Sequence, residues 1–169
     1  MAETVYILLG SNVGDRERYL DHALEKLESL EGLEVTAASG IYVSEASEMG
    51  DQEPSFLNQV IKADWRYTAN ELLRALEKIE RDLGRTQKGE RKSRTIDIDL
   101  LLFGEHIIDT EDLRVPHEQL LSRPFAMVPL LQIDPELRHP AGARPIAEFL
   151  SEDDRQTVIL YKDHVTRNI

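Results

Sequence analysis

Two stretches of helical periodicity, each set between apolar β-forming runs, constrain the fold of this chain more than any other feature. TVYILLG (4–10) is rich in β-formers and stops at Gly10, which reads as a buried strand. After the polar SNVGD, the residues Leu20, Ala23, Leu24, Leu27 and Leu30 recur at helical spacing between Arg16 and Leu30, and Gly32 ends that helix. Residues 33–43 predict a second strand. SEASEMGDQEPS (44–55) carries neither period and predicts a twelve-residue polar loop, of a length that often serves function. FLNQVIKADW (56–65) is a third strand. Thr68 with Glu71 matches a capping box, and Leu72, Leu73, Leu76, Ile79 and Leu83 mark a second long helix closed by Gly84. TIDIDLLLFG (95–104) is a fourth strand. His106–Ile108 reads as a short hairpin partner after Gly104, Val115-Pro116-His117 as a turn, and Phe125–Ile133 as a short helix despite Pro129.

Strand–helix–strand, repeated, predicts a ferredoxin-like α+β sandwich: an antiparallel or mixed sheet with both long helices on one face. A flavodoxin-like doubly wound sheet is the rival. It needs a helix between 43 and 56, where Pro54 and the polar run oppose one. A length of 169 residues suits one domain, 1–169, with the acidic segment 151–169 as a peripheral tail.

Charge narrows the partners. Lys plus Arg number 20 and Asp plus Glu 32, a net −12, which disfavours nucleic acid and anionic membranes. The sum hides an island: RDLGRTQKGERKSR (81–94) holds six basic and two acidic side chains. Such an island in an acidic chain suits a small anion. Without cysteine there is no disulfide or thiolate site, and the N-terminus lacks an export signal, so the expected location is the cytoplasm.

Asp97-Ile98-Asp99 is the sharpest local motif. Strand alternation sends Ile98 to the core and both carboxylates to the opposite face. Two such carboxylates suit a hard divalent ion such as Mg²⁺; the alternative is a solvated acidic sheet face. Arg94 lies three residues earlier, so metal and cation together offer what phosphoryl transfer requires. No Walker A loop or dinucleotide fingerprint is present. Phe56 and Asn58 share a strand face, where ring and amide suit a flat heterocycle or ordinary packing equally well.

YILLGSNVGD, FLNQV (56–60), ERDLGR (80–85), SRTIDIDLLLFG (93–104), VPHEQLLSRPFAMVPL (115–130) and IDPEL (133–137) together resemble the 6-hydroxymethyl-7,8-dihydropterin pyrophosphokinase family over about residues 5–150. The resemblance implies transfer of pyrophosphate from ATP to the hydroxymethyl group of a dihydropterin in folate biosynthesis. It implies Asp97 and Asp99 as ligands of two Mg²⁺ ions, and Arg94 and Arg85 as catalytic arginines on the phosphates. It further implies ATP contacts from Glu77, Lys88, Arg91, Ile98, His117 and Arg123. The pterin would lie between Phe56 and Phe125, with Asn58 on its polar edge and Ser44, Glu45 and Ser47 beside it. No nucleic acid, membrane or obligate protein partner is expected.

Three departures from the family pattern stand out. Phe56 stands where many members have Tyr. Arg91-Lys92-Ser93-Arg94 is one residue shorter than the common R-W-G-P-R run and lacks its Trp, and Gln87 replaces a basic residue. Ser44-Glu45-Ala46-Ser47 replaces a Pro-rich stretch. The rival functions are another Mg²⁺-dependent phosphoryl or nucleotidyl transferase on the same fold, and a non-enzymatic binding module.

Overall fold

The computed structural model describes residues 2–44, 55–84 and 95–163. Its centre is an antiparallel sheet. Strand β1 (Glu3–Ser11) lies between β5 (Asp97–Phe103) and β4 (Phe56–Trp65); β4 then pairs with both β2 (Leu33–Ala38) and β3 (Ile41–Ser44), and β8 (Ile159–Lys162) joins β3 at the far edge. A separate ribbon pairs β6 (Ile108–Asp109) with β7 (Arg114–Val115).

Both long helices form where the periodicity predicts them. Helix α1 (Arg16–Glu28) is capped by Asp15, which accepts the Arg18 N–H. Helix α2 (Ala69–Asp82) has the full Thr68–Glu71 capping box, a device worth about 1 kcal/mol. Leu20, Ala23, Leu24 and Leu27 of α1 and Leu72, Leu76 and Ile79 of α2 bury against Val5, Ile7, Leu9, Leu57, Ile61, Ile98 and Leu100 of the sheet.

The opposite face has its own core, built from Tyr6, Leu8, Tyr42, Val60, Leu101 and Leu102 under α3 (Pro124–Ile133). Pro124 opens α3, where its missing N–H has no intrahelical partner to lose. Ala126 through Leu131 are all buried, so this short helix is apolar nearly all round and fills the second layer. Pro129 sits inside it, as the sequence reading allows. Among the described residues, no helix is long and apolar enough to cross a membrane.

Three local expectations change. The strand expected over 33–43 is broken into β2 and β3. Ser39 causes the break: it exchanges bonds with Val60 through its own N–H and hydroxyl, and the Gly40 N–H goes to Gln132 of α3. The hairpin partner expected at His106–Ile108 does not pair with β5; Ile108 pairs with Val115 instead. The reason is that β5's outer edge is occupied, since the His117 N–H donates to the Leu101 carbonyl at 2.9 Å and Glu80 takes the Ile98 N–H. The segment after Ser151 is peripheral in exposure, with all of β8 exposed, yet it supplies an edge strand and buries Val158. A short helix α4 (Glu152–Arg155) precedes it.

Candidate active site

Strand register assembles the site. Asn58 of β4 is paired with Gly10 of β1, and Gly10 is paired with Asp97 of β5. Directly opposed residues of antiparallel strands point to one face, so Asn58, Gly10 and Asp97 form a row across three strands. The next row on that face is Val60, Leu8 and Asp99. Val60 and Leu8 belong to the core beneath α3, while Ile98 turns into the core beneath α1 and α2. The alternation expected for Asp97-Ile98-Asp99 is what the structure has. Both carboxylates are half-buried at the end of the sheet face that α3 otherwise covers.

Gly10 keeps this row open. A Cβ there would lie 3.2 Å from the Asn58 Oδ1 and 3.8 Å from the Phe56 Cδ1, so the missing side chain leaves room for the amide and the ring. Asn58 is buried and donates through Nδ2 to the Ser44 Oγ at 2.8 Å, which fixes the amide's orientation. Phe56 is half-buried at the start of β4, anchored by Arg16, which donates to the Ser55 carbonyl at 2.7 Å. Phe125 is the second residue of α3 and packs at the margin of the second core, with the Arg123 guanidinium 5.5 Å from its ring centroid.

A cleft of about 200 Å³ adjoins Asp99 on the β5 edge. Asp99, Ile98, Leu100, Leu73, Leu113 and His117 line it, with the exposed Asp112, Arg114 and Glu118. Apolar walls with a carboxylate and an imidazole at one end fit a flat base carrying a polar, charged extension. Burial lowers the His117 pKa below the ordinary 6.5; Asp99 opposes this, Arg123 adds to it, and Glu118 opposes it. His117 Nδ1 accepts the Gln119 N–H at 3.2 Å, which leaves Nε2 to carry the proton of the neutral ring. Arg123 donates to Gln119, so this turn holds His117 and Arg123 together.

The structure thus gathers Asp97, Asp99, Asn58 and Phe56 on one sheet face, with Ser44 bonded to Asn58. It places His117, Ile98 and Asp99 around one cleft. Glu77, half-buried on α2, is not among the cleft residues; it pairs with Arg74 at 3.0 Å, and Arg74 also pairs with Asp112 of the cleft at 3.4 Å. Glu80, one turn further on, is the acidic residue of α2 that reaches β5; the sequence marks it as the start of the ERDLGR motif but assigns it no role. Its partner is a main-chain N–H eighteen residues away, which no local pattern marks. Leu73 and Leu100 are legible in the sequence only as apolar positions of a helix and a strand, and Leu113 carries no sequence signal. Arg85, Lys88, Arg91, Arg94, Glu45 and Ser47 lie outside the described residues.

Asp97 and Asp99 offer oxygen donors only, the chemistry Mg²⁺ prefers, and two carboxylates suffice where phosphates complete the shell. Among the described residues no group of three or more His, Asp or Glu forms a closed metal cage. An open pair beside a cleft that suits a flat base fits a metal shared with substrate.

Comparison with known proteins gives the chain a family. The model of the family "7,8-dihydro-6-hydroxymethylpterin-pyrophosphokinase (HPPK)" matches residues 6–135. The 2-amino-4-hydroxy-6-hydroxymethyldihydropteridine pyrophosphokinase of Aquifex aeolicus is 43% identical over 150 residues, covering 89% of this chain and 92% of that protein. Folic acid synthesis protein fol1 of Schizosaccharomyces pombe is 36% identical over 97% of this chain, which spans only 22% of that longer protein. Plasmodium falciparum HPPK-DHPS superposes with a TM-score of 0.67 at 15% identity, over 87% of this chain and 43% of that one, a likeness of fold. A family match running from Tyr6 to Pro135 takes in every element that builds the row and the cleft, and the chain belongs to the 7,8-dihydro-6-hydroxymethylpterin-pyrophosphokinase family.

Proposed function

We infer that this chain transfers the β,γ-pyrophosphoryl group of ATP to the 6-hydroxymethyl oxygen of 6-hydroxymethyl-7,8-dihydropterin and releases AMP. The observation that carries the reading is the row Asn58–Gly10–Asp97, which sets a heterocycle-reading amide on one side of an open glycine and a metal-binding carboxylate on the other. Two small substrates, one flat and one triphosphate, would meet across that glycine.

In this reading Asp97 and Asp99 hold two Mg²⁺ ions. What Mg²⁺ supplies when bound is neutralisation of phosphate charge and a more acidic substrate hydroxyl. The base lies in the cleft against Leu73, Leu100 and Leu113, with Ile98, His117 and Arg123 on the nucleotide and Arg85, Lys88, Arg91 and Arg94 on its phosphates. Neutral His117 donates from Nε2. The pterin stacks between Phe56 and Phe125, and Asn58 and Ser44 read its polar edge with Glu45 and Ser47 alongside.

The substrate hydroxyl oxygen attacks the β-phosphorus as the bond from that phosphorus to the α,β-bridging oxygen breaks. AMP leaves with that oxygen, and the hydroxyl proton passes to water. A loose transition state asks for positioning and charge stabilisation more than for a strong base, so no side chain need act as general base. The architecture belongs to the same inference. Counting β2 and β3 as one broken strand, the order β5-β1-β4-β2/β3 corresponds to a ferredoxin-like α+β sandwich in one domain, 1–169. A cytoplasmic enzyme suits its cysteine-free sequence.

A coupled assay tests this directly: AMP must form from ATP and Mg²⁺ only when hydroxymethyl-dihydropterin is present. AMP release independent of the pterin, or none with it, would reject the assignment.

A further inference from the structure

Among the described residues β5 is an edge strand: its one ladder partner in the sheet is β1. Edge strands have a row of outward main-chain groups with no neighbouring strand to receive them. At the middle of the Asp97-Ile98-Asp99 motif that outward group is the Ile98 N–H. It donates to the Glu80 Oε2 at 2.7 Å, so it points away from β1. A carboxylate acceptor makes this a charge-assisted bond, roughly twice as strong as a neutral one. Glu80 is half-buried on α2, next to Ile79, which is fixed in the core.

The geometry matters because of which peptide is held. The Ile98 N–H belongs to the peptide plane that joins Asp97 to Ile98. That plane sets the direction of the Asp97 Cα on one side and of the Ile98–Asp99 step on the other. A rigid helix therefore clamps the strand between two carboxylates that must converge on the same ions. Ligand sets of this kind work within about 0.5 Å and 10–20°.

We propose that Glu80 is a positioning residue: by accepting the Ile98 N–H it holds Asp97 and Asp99 in the mutual orientation that binds Mg²⁺ with the nucleotide. The proposal rests on the reading of Asp97 and Asp99 as metal ligands. Glu80 does so through the Ile98 peptide. Loss of such outer support commonly costs 10- to 100-fold in metal affinity or activity.

Two variants of the full chain separate this from a purely structural or charge role. Glu80→Gln keeps a carbonyl oxygen for the same N–H; Glu80→Ala removes it. Mn²⁺ binding in the presence of a non-hydrolysable ATP analogue, followed by electron paramagnetic resonance, should weaken about 10-fold in Glu80→Ala and less than about 3-fold in Glu80→Gln. kcat should fall in parallel, with the KM for dihydropterin unchanged. Hydrogen exchange at the Ile98 amide should quicken in the Ala variant alone. Wild-type Mn²⁺ affinity in Glu80→Ala overturns the proposal, as does an equal loss in both variants, which would mark the charge and not the bond. If Glu80→Ala does not fold, Glu80→Gln decides alone: near-wild-type metal binding with a protected Ile98 amide supports it, and tenfold weaker binding rejects it. Asp97→Asn and Asp99→Asn are the control for the underlying reading. If neither alters Mn²⁺ binding, the ligand assignment fails, whatever Glu80 does.

Discussion

Gly10 has no side chain, and the site depends on that. A methyl group there would stand 3.2 Å from the Asn58 Oδ1, so the amide would have to give by a few tenths of an ångström. The amide has little room, because its Nδ2 is already committed to Ser44. Gly10→Ala should therefore raise the KM for dihydropterin about tenfold, the equivalent of ~1.4 kcal/mol, while the KM for ATP stays within about twofold. Steady-state kinetics with each substrate varied in turn checks this; an equal rise in both would show a general disturbance of β1. The two carboxylates test the other substrate. Asp97→Ala or Asp99→Ala should abolish turnover, while dihydropterin affinity without nucleotide changes less than about threefold by fluorescence titration. Near-normal turnover in both variants would remove them from metal binding.

Elements are tied together where Asp134 ends α3. The Tyr6 hydroxyl of β1 donates to Asp134, and the Lys62 ammonium of β4 lies 2.9 Å from it. Burial pushes the Asp134 carboxyl up, but those two partners outweigh it and the net shift is downward from 3.8. Burial and the same contact raise the Tyr6 hydroxyl. A carboxyl whose folded pKa is lowered contributes stability that is fully present above its unfolded value and is lost as pH falls through the folded one. Asp134→Asn should thus destabilise the protein by about 1–2 kcal/mol at pH 7. The gap to wild type should close on acidification below 3.8, as read by urea unfolding at a series of pH values. A constant gap would mean that packing, not ionisation, makes the contact. The same element marks the limit of what the sequence discloses. Helices α1 and α2 are legible because their apolar residues repeat on one stripe, and Asp97 and Asp99 because carboxylates are rare in an apolar strand. Asn58 and Phe56 follow from strand alternation. The break at Ser39 is not legible, since it depends on which distant main chain, Val60, a hydroxyl meets. Glu80 and Glu77 are equivalent in pattern; only the placement of α2 beside β5 distinguishes them.

On the scale of the whole molecule, charge works against the reaction. A net −12 repels a triphosphate at long range, while the cationic balance is concentrated in 81–94, immediately before the two aspartates. Range decides which field an approaching nucleotide meets first. At about 0.01 M ionic strength the Debye length is about 30 Å, wider than the distance over which one cationic segment can mask the rest of an acidic molecule. At about 0.15 M it is about 8 Å, so distant carboxylates are screened while contacts at the site are not. The association rate constant of MgATP should therefore rise between these two salt concentrations, contrary to the usual fall for oppositely charged partners. Stopped-flow binding of a fluorescent ATP analogue, at constant free Mg²⁺, reads it. A rate that falls with salt would show that the positive segment governs approach from a distance and that the acidic bulk has no steering role.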